Sequence, residues 1–254
     1  MSKLPKQHQF IDFSDYGRPI AKRIANALKP TSFTPIDVTI AFVISGLLGV
    51  YCMINEYYFA AAFFIIFKSI LDAADGELAR IKETPSYTGR FLDSVSDIIL
   101  NFIIIITIWK LTDISIIYAF LAFFGLQLQG TLYNYYYVIL RNRFDGDTTS
   151  RVFEDTTPIA LPGEKQKNVN ILFILYKTFY GVFDKIIYAL DKDASKGKNL
   201  PNWLMSCIST FGLGFQLLII SILLVLNLKE IIIPFFIIYS SLIFVYIAIR
   251  KIFF

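Results

Sequence analysis

The chain is laid out as long apolar runs separated by short polar breaks. Six runs, at about residues 36–54, 57–80, 88–109, 114–140, 203–226 and 231–249, approach the ~20 residues a helix needs to cross a bilayer core. Each is read as a membrane-spanning helix. The breaks at 55–56, 110–113 and 227–230 are very short, which turns neighbouring helices antiparallel. The predicted fold is therefore all-α, a polytopic membrane helix bundle with six transmembrane helices. Two polar regions add to it. Residues 1–9 read as disordered, and residues 10–28 as amphipathic. Pro19 suits the first turn of a helix; Ile20, Ile24 and Leu28 would share one face, with Arg18, Lys22 and Arg23 as polar partners. That pattern predicts an N-terminal interfacial amphipathic helix on an anionic membrane surface. The segment 141–202 opens with a charged loop (Arg141, Arg143, Asp145, Asp147, Arg151, Glu154). It continues into an apolar stretch at 171–190 interrupted by Lys177, Asp184 and Lys185. A seventh span there would move the C-terminus across the membrane, so the stretch is read as an extra cytoplasmic or interfacial helix between spans 4 and 5. The chain thus divides into a cytosolic tail with its interfacial helix, 1–35, and a membrane domain, 36–254, with a cytoplasmic insertion at about 141–202.

Composition agrees. Of 254 residues, 56% are hydrophobic and 17% aromatic, and the mean hydropathy is +0.58; soluble domains are less apolar. The polar start is not a cleavable signal peptide in pattern. Lys110 and Lys229 are the only basic residues of the short breaks; nearly all others sit at the termini, in the turn near residue 85 or in 141–202. By the positive-inside rule these parts face the cytosol. The expected location is a bacterial or archaeal cytoplasmic membrane, integral and multi-pass. Cys52 and Cys207 lie in apolar segments and read as small buried hydrophobes, with no disulfide framework. His8 is the only histidine, so a histidine-based metal or catalytic site is not expected. The tyrosines at 133 and 135–137 read as an interfacial aromatic belt. No nucleic-acid motif is present.

The chemistry concentrates between the second and third runs. The stretch reads Asp72-Ala73-Ala74-Asp75-Gly76-Glu77-Leu78-Ala79-Arg80, then residues 81–88, then Gly89-Arg90-Phe91-Leu92-Asp93-Ser94-Val95-Ser96-Asp97. Ionisable groups beside hydrocarbon are costly and mark function by default. Asp72, Asp75 and Ala79 fall on one face of a continuing helix, and Gly89, Asp93 and Asp97 form a stripe on the next. A reversal at 81–88, which holds Pro85, would aim the two carboxylate pairs at each other. Four carboxylates in one small volume call for a cation. A hard divalent ion with oxygen ligands fits, and Mg²⁺ leaves room for substrate phosphates. Gly76 and Gly89 would let a nucleotide or phosphate approach the backbone. Lys68, four residues before Asp72, shares its face. It is either a cation at the substrate cavity or a counter-ion for the acids. Arg141 and Arg143 are candidates for an acceptor phosphate, or simply part of a positive-inside loop.

The pattern Asp-x2-Asp-Gly-x2-Ala-Arg-x8-Gly-x3-Asp-x3-Asp resembles the signature of the CDP-alcohol phosphotransferases, class I, and every fixed position from Asp72 to Asp97 is present. The resemblance implies transfer of a substituted phosphate group from a CDP-alcohol, such as CDP-diacylglycerol, to an acceptor hydroxyl, releasing CMP in phospholipid biosynthesis. It implies Mg²⁺, or Mn²⁺ in its place, held by Asp72, Asp75 and Asp93, with Asp97 completing a second metal site. Asp97 and Asp93 would be catalytic, Asp97 as general base, although a carboxylate held by metal has a lowered proton affinity. Gly76, Ala79, Arg80, Gly89 and Thr39 would bind the nucleotide. Members often carry Thr-Pro-Asn-x-x-Thr before the first span. Here Thr34-Pro35-Ile36-Asp37-Val38-Thr39 has Ile in place of Asn, so any nucleotide contact from that Asn is either lost or rerouted through Asp37 or Thr39.

The acceptor is open between a polyol phosphate, as in inositol-phosphate-type synthases, and a lipid that receives a CDP-linked head group. Membrane lipid and a second copy of the chain are the other implied partners. The homodimer follows from the resemblance, since Gly46, Gly49, Gly212 and Gly214 allow close approach but make no GxxxG pair. Two other classes fit the acids less well. A divalent-cation transporter would hold its acids nearer the midplane, and an inactive scaffold would have no reason to keep four costly acids.

Overall fold

The computed structural model describes residues 4, 5, 8–144 and 156–254. Asp145, Asp147, Arg151 and Glu154 of the expected charged loop lie outside the described residues, as do part of residues 1–9. Every regular element described is helical: a 3-10 turn at Phe13–Asp15, then α1 (Arg18–Leu28), α2 (Pro35–Ile54), α3 (Tyr58–Lys82), α4 (Tyr87–Lys110), α5 (Ile116–Arg143), α6 (Gln166–Leu190), α7 (Asn202–Ser209), α8 (Leu213–Val225), α9 (Lys229–Tyr239) and α10 (Leu242–Phe253).

Local sequence explains the boundaries that matter for the site. Thr34 and Asp37 form a reciprocal capping box at the start of α2, with Pro35 in its first turn. Such a cap contributes about 1 kcal/mol. Helix α3 ends where Glu83 takes a left-handed conformation at φ 55°. The chain then reverses through Pro85, and Ser86 caps α4 by accepting from the Gly89 amide at 2.8 Å. The reversal at 81–88 is thus the expected one.

Helix α3 is the centre of the bundle, packed against α1, α2 and α8, while α4 packs against α2 and α6. One apolar core gathers Met53, Ile65, Ile104, Ile108, Leu224 and Phe236. A second joins α5 to α7 and α10 through Tyr136, Leu204, Met205, Phe211 and Ile247.

Among the described residues, four helical stretches are long and apolar enough to cross a membrane: α2, α4, α5 and Lys229–Phe253, which takes in α9 and α10. Helices α7 and α8, bent by 48°, make a fifth if taken as one broken span. The chain is therefore an integral membrane protein. Helix α3 is as long, but Lys68, Asp72 and Asp75 interrupt its apolar run. The expected span at 203–226 is broken between α7 and α8, and the N-terminal segment packs closely against the break. A Cβ on Gly214 would stand 1.9 Å from the Ser14 carbonyl oxygen, and one on Gly212 would stand 2.4 Å from the Ser14 side chain.

Several expectations change here. In α1, Ala21 and Ala25 are fully buried towards α3, with Ile24 and Leu28 partly buried beside them, and Ile20 is half exposed; the small residues allow the close approach. Residues 4–9 are tied down where described, with Leu4 buried in the second core and His8 stacked on Phe144. Gly46 and Gly49 face Leu100 and Ile65 of the same chain, so all four glycines named for dimer packing serve internal contacts. Cys52 is buried, but Cys207 is exposed, because α7 turns Leu204, Met205 and Ile208 inward. The tyrosine cluster is not a belt. Tyr133 donates to Asp12, Tyr136 to the Asp191 carboxylate and Tyr135 to the Asp191 carbonyl.

Candidate active site

The reversal after α3 lays the first turns of α4 beside its last turns. Carboxylate oxygens of Asp72, Asp75 and Asp93 come within 4.8 Å of one another. Asp75 is buried, and its Oδ2 accepts a 2.6 Å hydrogen bond from Thr39 Oγ1 on α2. Asp93 Oδ1 is buried with no hydrogen-bond partner. A buried carboxylate oxygen left bare, next to two further carboxylates, is costly unless a cation takes it up. All the donors are hard oxygens, so the residues fit a divalent ion such as Mg²⁺.

Asp97 lies one turn along α4 from Asp93 and is engaged differently. It forms a salt bridge with Lys68 Nζ. Lys68 is fully buried on α3, with its ammonium 5.0 Å from the Phe42 ring centre. This favours the counter-ion role for Lys68 over the phosphate-binding one.

At the outer end of α3, Glu77 is shared by two guanidinium groups. Arg80 pairs with Glu77 Oε1 at 3.1 Å, and Arg18 of α1 pairs with the same oxygen and with Asp15. Arg80 folds over Gly76, so that a Cβ there would meet its guanidinium at 3.6 Å. Gly89 faces its own cap, Ser86, and Ile36 of α2. Ala79 is partly exposed on the same turn as Arg80. Asp37 is occupied by its capping box and Thr39 by Asp75, so neither hydroxyl nor carboxylate is idle where the family's usual Asn is absent.

The two candidate acceptor arginines sit at the far end of α5. Arg141 is buried with its guanidinium 5.2 Å from the Tyr137 ring. Arg143 donates to Asn199 Oδ1 and to the carbonyls of Ser195 and Gly197, bonds an incoming phosphate would have to replace.

Sequence reasoning missed three contacts. Arg18 to Glu77 and Thr39 to Asp75 join residues far apart in the chain, with no local signal. Glu164, from the insertion, accepts from Ser86 Oγ (2.8 Å) and from the amides of Tyr87 (3.2 Å) and Thr88 (2.7 Å). It thereby caps α4.

The structure is thus a helical membrane protein in which Asp72, Asp75 and Asp93 form a cluster that could hold a metal ion. The sequence model of the CDP-alcohol phosphatidyltransferases matches residues 30–161, just over half of the chain and all of the acid motif, and the chain belongs to that family. Members transfer a phosphate-linked group from a CDP-alcohol to an acceptor, and the family is generally dependent on a divalent metal. No curated protein matches the chain significantly.

Proposed function

We propose that the protein catalyses divalent-cation-dependent transfer of a substituted phosphate from a CDP-alcohol to an acceptor hydroxyl, with release of CMP, at the cytosolic face of the membrane. The observation that carries this reading is the convergence of Asp72, Asp75 and Asp93 around a carboxylate oxygen that has no partner of its own. Asp72, Asp75 and Asp93 would hold the ion. Bound there, Mg²⁺ supplies charge neutralisation for the diphosphate and the departing CMP.

The protein's own groups do the rest. Thr39 fixes Asp75 by a charge-assisted hydrogen bond. Lys68 orients Asp97, which receives the proton of the acceptor hydroxyl. Arg80, held by Glu77 beside Gly76, is placed to exchange that partner for a donor phosphate. Gly76, Ala79 and Gly89 leave room for the nucleotide. The reading extends to six crossings, with α3 and the bent α7–α8 pair among them, and to a homodimer. The sorting of lysines and arginines supports the cytosolic placement of the acids.

The donor is either CDP-diacylglycerol, passed to a soluble polar alcohol or its phosphate, or a CDP-linked head group passed to a lipid. CMP release by the purified protein, offered each donor with a panel of acceptors, decides between them. Metal-dependent release with one donor class supports the reading. Silence with every pair would leave the scaffold alternative standing in its place.

A further inference from the structure

Helix α6 and the turn before it lie beyond the family match, which ends at residue 161, yet they hold the acid-bearing helix at two separate points. At the first, Glu164 takes the Tyr87 and Thr88 amides while Ser86 takes that of Gly89. Three of the donors that a helix start leaves open are thereby satisfied. Glu164 is itself steadied by the Leu161 amide at 3.0 Å. At the second, the Tyr180 hydroxyl donates to the Ser94 carbonyl at 3.0 Å. That carbonyl belongs to the residue after Asp93, on the turn that leads to Asp97. Between the two points the contact is apolar: Val169 and Phe173 of α6 bury against Phe91, with Tyr87 and Tyr176 beside them.

These two kinds of contact do different things. Apolar packing holds α6 on α4 through many weak, non-directional contacts. Hydrogen bonds are directional. A rotation of α4 by about 20° would carry a side-chain tip ~5 Å from the axis through about 2 Å. Metal-ligand distances tolerate only about 0.2 Å. The two polar contacts fix rotation and height at the turns where Asp93 and Asp97 leave the helix.

We propose that residues 162–190 are a clamp on α4, in which Glu164 and Tyr180 are positioning residues that set Asp93 and Asp97 against Asp72 and Asp75. Through that register they tune the affinity of the acid cluster for its divalent cation. The proposal rests on the reading of the cluster as a cation site, and adds that its affinity is governed from outside the family core.

The test is Mn²⁺ binding to the purified full-length protein, followed by electron paramagnetic resonance of the free ion, so that turnover is not needed. Tyr180→Phe keeps the ring and its packing and removes one hydrogen bond. Glu164→Gln removes the charge of the cap. Each is expected to weaken Mn²⁺ binding about tenfold, as loss of a group supporting a metal ligand typically does, and the pair together by more. Amides of residues 87–97 should exchange with solvent faster in both variants, whereas Asp93→Asn should abolish binding. Unchanged Mn²⁺ affinity in Tyr180→Phe and Glu164→Gln, with or without a lower melting temperature, would overturn the clamp while leaving the cation site intact. No Mn²⁺ binding by the wild-type protein would overturn the cation site and the clamp with it. Should Glu164→Gln fail to fold, Tyr180→Phe decides alone.

Discussion

Lys68 and Asp97 offer a sharp test of how this site keeps charge beside hydrocarbon. The Lys68 side chain is 1% exposed and that of Asp97 13%, so each is the other's main compensation. Removing one partner of a buried pair typically costs about 3–5 kcal/mol, because the survivor is left as an unpaired buried charge. Lys68→Met keeps the volume and removes the charge. It also gives up the ammonium contact with Phe42, worth about 1 kcal/mol. Asp97→Asn keeps the shape and strands the ammonium. Independent effects would sum to about 6–10 kcal/mol in the double variant. The pairing predicts otherwise: with both charges gone nothing is stranded, and the double variant should be no less stable than either single one. In a protein of this size each single variant should melt roughly 10 °C below wild type. Thermal unfolding of the four proteins in one detergent measures the cycle. Additive losses would refute the pairing and return Lys68 to the role of a free cation at the substrate cavity.

Other consequences follow from the same contacts. Gly214→Ala should loosen the N-terminal segment, because a Cβ there meets a backbone oxygen at 1.9 Å that no rotamer change can relieve. A loss of about 1–3 kcal/mol is expected, with earlier proteolysis near Ser14 as a second sign. Glu164 gives a pH signature. Burial works to raise its carboxyl, but the amide and hydroxyl of Thr88, the Ser86 hydroxyl and the Leu161 amide outweigh it and hold the carboxyl below its usual 4.5. A carboxyl lowered on folding stabilises the protein above its unfolded value and loses that contribution as pH falls through the folded one. The stability difference between wild type and Glu164→Gln should therefore be full at pH 7 and shrink below about pH 4.5; a difference constant down to pH 3 would contradict the cap.

Much of this was legible in the sequence, for physical reasons. The hydropathic runs located the long helices within a few residues, because a bilayer fixes their length. Spacing of three and four placed Asp72 with Asp75 and Asp93 with Asp97, and Pro85 marked the reversal. What stayed hidden depends on contacts between distant segments. The span at 203–226 reads as continuous until Ser14 is seen against Gly212 and Gly214. Ile20, Ile24 and Leu28 give α1 its apolar stripe in the sequence, while Ala21 and Ala25, which carry no such signal, are the residues fully buried where α1 meets α3. The tyrosines at 133–136 look like an interfacial belt until Asp12 and Asp191 appear opposite their hydroxyls. The bond from Thr39 to Asp75 joins α2 to α3 and has no local signal either. Nothing local marks Glu164 as the cap of a helix that begins far upstream of it.

The central claim is that Asp72, Asp75 and Asp93 hold the ion on which transfer depends. The most direct measurement is a Mg²⁺ titration of CMP release by the purified protein, beside Asp93→Asn of verified fold. The account predicts no release without Mg²⁺, saturable activation in the wild type and none in the variant at any concentration. Near-normal turnover by a folded Asp93→Asn protein, or release that persists after the divalent ions are removed, would contradict it.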